Sequence, residues 1–210
     1  MLVDAPPDFR EQALAYRLPR VDAVLFTHSH ADHVFGFDDL RRYNTMQGTV
    51  IPAYADPDTV EDLKRMFPYI AQTTKPGLYR PLIKYHPVRG RFRIGGLDIL
   101  PLPVFHDGKS TVGYLFREGA RRVGYIPDCL TIEEEVLGQV HGVDVMVLDA
   151  LRHRPHRTHL TVSASIALLH RIGAGRGYLT HVGHEVEHAA TQRDLPPGVH
   201  LAYDGLSVDV

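Results

Sequence analysis

Four side chains that can bind a divalent metal lie within six residues of one another near the start of the chain. His28, His30 and His33 supply imidazoles and Asp32 supplies a carboxylate, in the pattern H-x-H-x-D-H. These groups are suited to Zn²⁺, Mn²⁺ or Fe²⁺. A polar surface turn is the alternative interpretation, because loops collect polar residues. The density of ligands favours a metal site.

The stretches on either side of this segment predict the structure that positions it. Val21 to Phe26 is an apolar run typical of a buried strand, and the stretch from Val34 to Tyr43 predicts a helix. Because a turn from a strand into a helix fans out successive side chains, the four groups can converge on one point.

Three further candidate ligands follow later predicted strands. His106, Asp128 and His181 each come just after an apolar run. Strands that end at one edge of a sheet bring such residues into a common cleft. Taken alone, each of them is more often a hydrogen-bonded surface or core residue. Their order behind the first segment favours a shared metal site.

The rest of the chain alternates apolar and amphipathic runs, which predicts two sheets covered by helices. The runs 112–117 and 122–126 predict a hairpin. Thr131 and Glu134 have the spacing of a capping box at the start of a helix. Asp204-Gly205 predicts a second hairpin turn near the end of the chain.

Composition limits the class of protein. The chain has 210 residues, 44% of them hydrophobic, which is enough for a packed core. A formal net charge of −2 gives no basic field, so we expect no nucleic-acid partner. Cys129 is the single cysteine, which excludes an internal disulfide. No apolar run is long enough for a membrane span and no signal peptide is recognisable, so we expect a cytoplasmic protein.

The ordered set of His and Asp residues resembles the metallo-β-lactamase-fold hydrolases, from about Asp4 to the end of the chain. The resemblance implies an α/β protein, with one hydrolase domain over 1–210 folded as a four-layer αββα sandwich that lacks the family's usual first strands. It also implies two divalent metal ions, zinc or manganese. The implied ligands are His28, His30 and His106 for one ion, Asp32, His33 and His181 for the other, and Asp128 as a bridge between them.

A hydrolytic mechanism follows from that resemblance. Metal binding lowers the pKa of water towards ~7, so a metal-bound hydroxide is available as the nucleophile. Asp32 and His159 are the predicted catalytic residues. The same chemistry serves an ester, an amide or a phosphodiester, and the ligands alone do not choose among them.

The loop from 151 to 160 holds three arginines and three histidines, which favours an anionic substrate. A solvated basic loop is an equal alternative, because charge runs usually face water. The loop and the chain around His181 resemble the phosphoribosyl cyclic phosphodiesterase branch of the family. That resemblance implies a small phosphorylated substrate held by Arg154, Arg157 and His159, with His159 as general acid or phosphate contact.

Two residues are candidates for supporting roles. Asp4 is predicted to orient a ligand histidine. In the branch named above, the residue matching His184 joins an amino-terminal cysteine cluster around a structural zinc, and this chain contains no such cluster. If the first strands are missing, the first sheet has an exposed edge or pairs with another chain in a homodimer.

Two other functions stay open. The chain could hydrolyse a thioester or lactone with the same fold, or it could be a catalytically disabled metal-binding protein.

Overall fold

A computed structural model describes residues 1–71 and 79–210 of the chain. The chain divides into two compact units, Met1–Arg89 and Gly90–Val210. Each unit has its own sheet, helices and buried apolar cluster. None of the helices within the described ranges combines the length and apolar character needed to cross a membrane.

Within its described residues, the first unit contains a four-stranded parallel sheet. Its strands, in both chain order and sheet order, are β1 (Leu2–Val3), β2 (Val24–Leu25), β3 (Ile51–Ala55) and β4 (Ile83–Pro87). Its helices are α1 (Phe9–Ala15), α2 (Ala31–Val34), α3 (Leu40–Gln47), α4 (Pro57–Met66) and α5 (Pro68–Ala71). Because the strands are parallel, residues that follow them emerge at one edge of the sheet. The strand β1 is at the end of this order and is therefore an edge strand.

The predicted single helix from Val34 to Tyr43 is wrong, because the chain breaks at Gly36. Two helices and a 3-10 turn at Phe37–Asp39 replace it. The Gly36 amide donates to the Ala5 carbonyl at 2.8 Å, and a Cβ at position 36 would lie 2.1 Å from the Pro6 carbonyl oxygen. This close approach of two backbones ends α2 directly after the H-x-H-x-D-H segment.

The second unit contains a seven-stranded mixed sheet. Its strands are β5 (Phe92–Ile94), β6 (Leu97–Val104), β7 (Thr111–Glu118), β8 (Arg121–Ile126), β9 (Val145–Asp149), β10 (Arg176–Thr180) and β11 (Val199–Leu201). Its helices are α6 (Glu134–Val140), α7 (Val162–Ile172) and α8 (His188–Asp194). The sheet order runs from β11 down to β5, so every pair of neighbouring strands is also consecutive in the chain. The strands β5 to β8 form an antiparallel meander, and β8 to β11 pair in parallel.

Two of the local predictions in this unit need correction, and one is confirmed. The hairpin of β7 and β8 forms as predicted. The helix expected to begin at Thr131 begins at Glu134, because the backbone of Thr131 bridges to Phe105 instead. No second hairpin forms at Asp204-Gly205, since β11 pairs in parallel with β10 and Arg176 bonds the carbonyl of Asp209.

Three non-glycine residues of the described chain have a left-handed backbone: Asp4 (φ 61°), Arg17 (φ 49°) and His181 (φ 56°). This conformation is uncommon outside glycine, although aspartate and histidine tolerate it better than most residues. An outlier of this kind is a reason to look for function at its side chain.

Candidate metal centre

The three histidines of the first cluster, His28, His30 and His33, meet at the carboxyl end of β2. The His28 ring centroid lies 4.6 Å from that of His30 and 4.2 Å from that of His33. His28 Nε2 and His30 Nδ1 face each other at 2.9 Å. Two nitrogens bound to one tetrahedral zinc lie about 3.3 Å apart, so this pair fits a shared ion after a small adjustment. Asp32 lies at the exposed side, with Oδ2 3.6 Å from His33 Nε2.

A buried carboxylate supports this cluster from behind. Asp4 Oδ2 lies 2.8 Å from His33 Nδ1, and Asp4 Oδ1 accepts the Thr27 amide at 2.8 Å. The Thr27 hydroxyl donates to Asp4 Oδ2 at 2.9 Å. A carboxylate on one ring nitrogen fixes the orientation of the imidazole and directs the other nitrogen towards a metal. The contact between Asp4 and His33 is the one that the predicted supporting role requires, and the role itself stays a prediction.

A second support comes from α4. The Ser29 hydroxyl donates to Asp62 Oδ2 at 2.6 Å, and Asp62 also pairs with Arg65 one helical turn later. The contact ties the turn between His28 and His30 to a helix that packs on β3 and β4. No motif around Asp62 indicates this contact, so the sequence does not predict it.

The second unit assembles another set of potential ligands at one edge of its sheet. Asp128 and His181 follow the parallel strands β8 and β10. His106 follows β6, which runs in the same direction as β8 because each is antiparallel to β7. His181 Nε2 lies 3.4 Å from Asp128 Oδ1, and His106 Nε2 lies 3.7 Å from Asp128 Oδ2. Asp128 thus presents one oxygen to each histidine.

The chemistry of this set fits a cation. Asp128 and His106 are each 2% exposed, and an ionised carboxylate is costly to bury without positive charge nearby. His106 Nδ1 lies 2.8 Å from the Thr158 carbonyl, which only accepts, so Nδ1 carries the proton and Nε2 keeps its lone pair. Ligand atoms of Asp128, His159 and His181 all lie within 4.8 Å of one another.

The local backbone helps to bring His106 and Asp128 together. The Phe105 amide donates to the Thr131 carbonyl at 3.1 Å, and the Leu130 amide donates to the Phe105 carbonyl at 2.7 Å. These bonds hold the segments that follow β6 and β8 side by side. The pairing of Phe105 with Thr131, which moves the start of α6 to Glu134, therefore also positions His106 and Asp128.

His159 lies among these residues and is held by Asp149. His159 Nδ1 is 3.1 Å from Asp149 Oδ2, which also accepts the Leu160 amide at 3.0 Å and the Cys129 amide at 3.2 Å. Asp149 is fully buried, and the His159 ring stacks on His181 with centroids 4.8 Å apart. No motif in the sequence marks Asp149 as a candidate site residue. Asp149 could have been identified as a candidate from its position at the carboxyl end of β9, which lies between β8 and β10.

The nearby cysteine is unsuited to nucleophilic attack. Burial raises the pKa of the Cys129 thiol well above its usual value, and the carboxylates of Asp149 and Asp128 raise it further. The thiol therefore stays protonated near neutral pH, and the thiolate is the form that reacts.

The arginines of the loop after β9 differ in their surroundings. Arg154 makes two hydrogen bonds to Glu185, at 3.1 and 2.7 Å, which raise the pKa of Arg154 and lower that of Glu185. Arg152 lies 3.5 Å from the same carboxylate. Arg157 is exposed and has no ion pair within the described residues. Of the two predicted substrate-binding arginines, Arg157 is thus the better placed to meet an anion. His184 is exposed in the loop that follows β10.

Comparison with known proteins identifies the family. The family model described as a beta-lactamase superfamily domain matches residues 1–182. The chain belongs to the metallo-β-lactamase superfamily. The predicted fold class is confirmed as a mixed α/β fold with two sheets flanked by helices. Membership in this superfamily assigns the chain to the metallo-β-lactamase-fold hydrolases. This fold binds divalent metals.

Individual superfamily members give finer but less uniform information. The crystal structure of a new diphosphatase from the PhnP family is 34% identical, with a TM-score of 0.89, over 100% of this chain and 79% of that chain. An octanoyltransferase from Porphyromonas gingivalis is 31% identical over 98% of this chain, which spans only 41% of that relative. The Zn²⁺-bound PqqB from Methylobacterium extorquens shares the fold, with a TM-score of 0.77 and 23% identity over 100% of this chain and 82% of that one.

Proposed function

We propose that the protein is a metal-dependent phosphodiesterase that hydrolyses a small phosphodiester, with cyclic phosphates as the first substrates to test. The observation that carries this proposal is the 34% identity with a PhnP-family diphosphatase over the whole chain. The basic loop after β9 agrees with an anionic substrate, since it leaves Arg157 without a carboxylate partner among the described residues.

The cofactors we propose are two divalent cations, zinc or manganese. The ligands would be those that the sequence suggests: His28, His30 and His106 for one cation, Asp32, His33 and His181 for the other, and Asp128 for both. The donor chemistry of each unit supports this assignment, because each cluster combines imidazole nitrogens with a carboxylate. When bound, the cations supply a water that is nucleophilic near neutral pH and stabilise developing negative charge.

His159 is the residue we assign to proton transfer. Its Nδ1 faces Asp149 Oδ2, and this contact would orient the ring so that Nε2 is directed towards the substrate. The two amides that also bond Asp149 hold the carboxylate in place, and the carboxylate in turn fixes the imidazole. A histidine held in this way can protonate the leaving oxygen of a phosphodiester. Arg157 would contact the phosphate oxygens.

Metal analysis combined with a substrate panel tests the proposal. The purified chain, loaded with zinc or manganese, should carry about two metal ions and cleave bis(p-nitrophenyl) phosphate and a cyclic ribose phosphate. The monoester p-nitrophenyl phosphate is the matched control and should be a poor substrate. A metal-loaded chain that cleaves neither diester would overturn the proposal, and inactivity on the whole panel would favour the disabled metal-binding protein.

One observation favours a second function, the hydrolysis of a thioester. The P. gingivalis relative is called an octanoyltransferase, and acyl transfer also proceeds through attack on a carbonyl carbon. The same panel therefore includes an octanoyl thioester and an acyl-homoserine lactone. Turnover of either ester at a kcat/KM well above that of the diesters would replace the phosphodiesterase by this alternative.

A further inference from the structure

The first unit contains a cavity that the proposed hydrolysis does not use. Its volume is about 650 Å³, within the range of small-molecule sites. The helices α1 and α3 form its walls, and the rings of Phe9 and Tyr43, with centroids 6.0 Å apart, contribute to an apolar floor. Leu14 and Met46 also line it and are 64% and 56% exposed. None of the residues that line it belongs to the histidine cluster.

The wall of this cavity carries an excess of positive charge. Four arginines line it, and Asp39 is the one acidic residue among the described residues that do so. The arginines are Arg10, Arg17, Arg41 and Arg42. Arg41 pairs with Asp38 at 3.3 Å, whereas the other three have no ion pair to any described residue. Guanidinium groups without carboxylate partners are suited to binding phosphate or carboxylate.

The backbone at Arg17 gives a second reason to look here. The Leu18 amide donates to the Ala13 carbonyl at 2.9 Å and the Arg17 amide to the Leu14 carbonyl at 3.3 Å, which is the Schellman pattern at the end of α1. Arg17 occupies the position of that motif where glycine is usual, and its φ is 49°. The backbone gains nothing from an arginine at this position. The side chain, which lines the cavity, is the feature that an arginine adds.

We propose that this cavity binds a small amphipathic anion, with its apolar body on the floor of the cavity and its phosphate or carboxylate end against Arg10 and Arg17. A ligand that is all charge would leave the apolar floor exposed to water. A ligand that is all hydrocarbon would leave the arginines without an anionic partner. The proposal concerns binding only and does not depend on the proposed hydrolase activity.

Calorimetric titration of the full-length chain with decyl phosphate and with decanoate, both below their micellar concentrations, tests this site. Inorganic phosphate and 1-decanol are the matched probes for the head and the tail alone. We expect at least one amphipathic probe to bind at least tenfold more tightly than either control. Competition between the two amphipathic probes shows whether they share one site, and their relative affinities show which head group it prefers.

Substitutions at position 17 separate binding from folding. Arg17→Gly should weaken binding at least tenfold while the Tm stays the same or rises, because glycine relieves the left-handed backbone. Arg17→Lys keeps the charge and should bind between the two. Arg89→Gln removes an exposed arginine of the same unit that does not line the cavity and should leave binding unchanged.

Several results would overturn the proposal. They are the absence of binding by both amphipathic probes, equal binding of phosphate or decanol alone, and unchanged binding by Arg17→Gly. If Arg17→Gly loses both stability and binding, Arg10→Gln decides, because Arg10 lies in α1 with an ordinary helical backbone. Arg10→Gln should then fold normally and bind at least tenfold more weakly, and full binding by it would equally overturn the proposal.

Discussion

The two clusters of candidate ligands are built in different ways, although each combines imidazoles with a carboxylate. The first lies at one turn from β2 into α2, so His28, His30 and His33 are close in sequence as well as in space. The second takes His106, Asp128 and His181 from the ends of three different strands. Its geometry therefore depends on the order and register of a seven-stranded sheet. A local cluster can be recognised from its spacing, whereas a dispersed one exists only once the sheet has formed.

The carboxylates behind the clusters differ in the same way. Asp4 reaches His33 across the parallel pair β1 and β2, and it supports a proposed ligand. Asp149 ends the strand between β8 and β10, and it supports His159, the proposed proton donor. The first carboxylate should therefore affect metal affinity, and the second should affect the chemical step.

The largest expected effect tests whether the two clusters act as one centre. His28→Ala removes a ligand from the first cluster and Asp128→Ala removes one from the second. Each should lower kcat/KM by more than about a thousandfold, or ~4 kcal/mol, because metal ions contribute several kcal/mol to such reactions. Steady-state kinetics and metal content per chain measure this. If either variant keeps near-normal activity, the clusters work independently and the shared centre is wrong.

The next effect separates proton transfer from metal binding. His159→Gln should lower kcat by about 10²- to 10⁴-fold on a diester with an alkyl leaving group. The loss should be much smaller with p-nitrophenolate, which leaves without protonation. Metal content should stay at the wild-type level. An equal loss on both substrates would show that His159 does not act as the general acid.

Intermediate effects compare the two supporting carboxylates directly. Asp4→Asn should weaken metal affinity by about 10- to 100-fold, measured by titration with a chelator as competitor. Asp149→Asn should lower kcat by a similar factor and leave metal affinity within about twofold. If both variants changed the same quantity, either metal affinity or kcat, the two carboxylates would not have distinct roles.

The smallest effects concern the basic loop. Arg154→Ala should change KM by less than about twofold, because Glu185 already occupies this guanidinium at the surface. Arg157→Ala should raise KM about three- to tenfold with little change in kcat, since it removes one contact to the phosphate. A larger increase in KM for Arg154→Ala than for Arg157→Ala would mean that the ion pair between Arg154 and Glu185 opens when substrate binds.

The sequence was most informative where chemistry and structure are both local. The H-x-H-x-D-H segment predicted a strand, a turn and converging ligands, and the β7–β8 hairpin formed as expected. The break at Gly36 was not predictable, because its cause is the Ala5–Pro6 backbone about thirty residues away. The late start of α6 has the same kind of cause, a bridge between Thr131 and Phe105.

The supporting residues of the site were the hardest to predict. Asp62 and Asp149 lie in ordinary helix and strand sequences, and their roles appear only through contacts with Ser29 and His159. Asp4 was a candidate because the family resemblance extends to it. The choice between Arg154 and Arg157 depends on one distant residue, Glu185, that no spacing rule connects to the loop.

The left-handed residues give the protein an unusual response to selection for heat resistance. At Asp4, Arg17 and His181 a glycine would fit the backbone with less strain. A screen that rewards survival at high temperature should therefore enrich glycine at the exposed Arg17. It should spare Asp4, because its buried carboxylate accepts hydrogen bonds from Thr27, and losing them would cost more stability than the backbone strain that glycine relieves. Enrichment of glycine at Arg17 would then support, without any assay of turnover, the proposal that its side chain is kept for binding an anion.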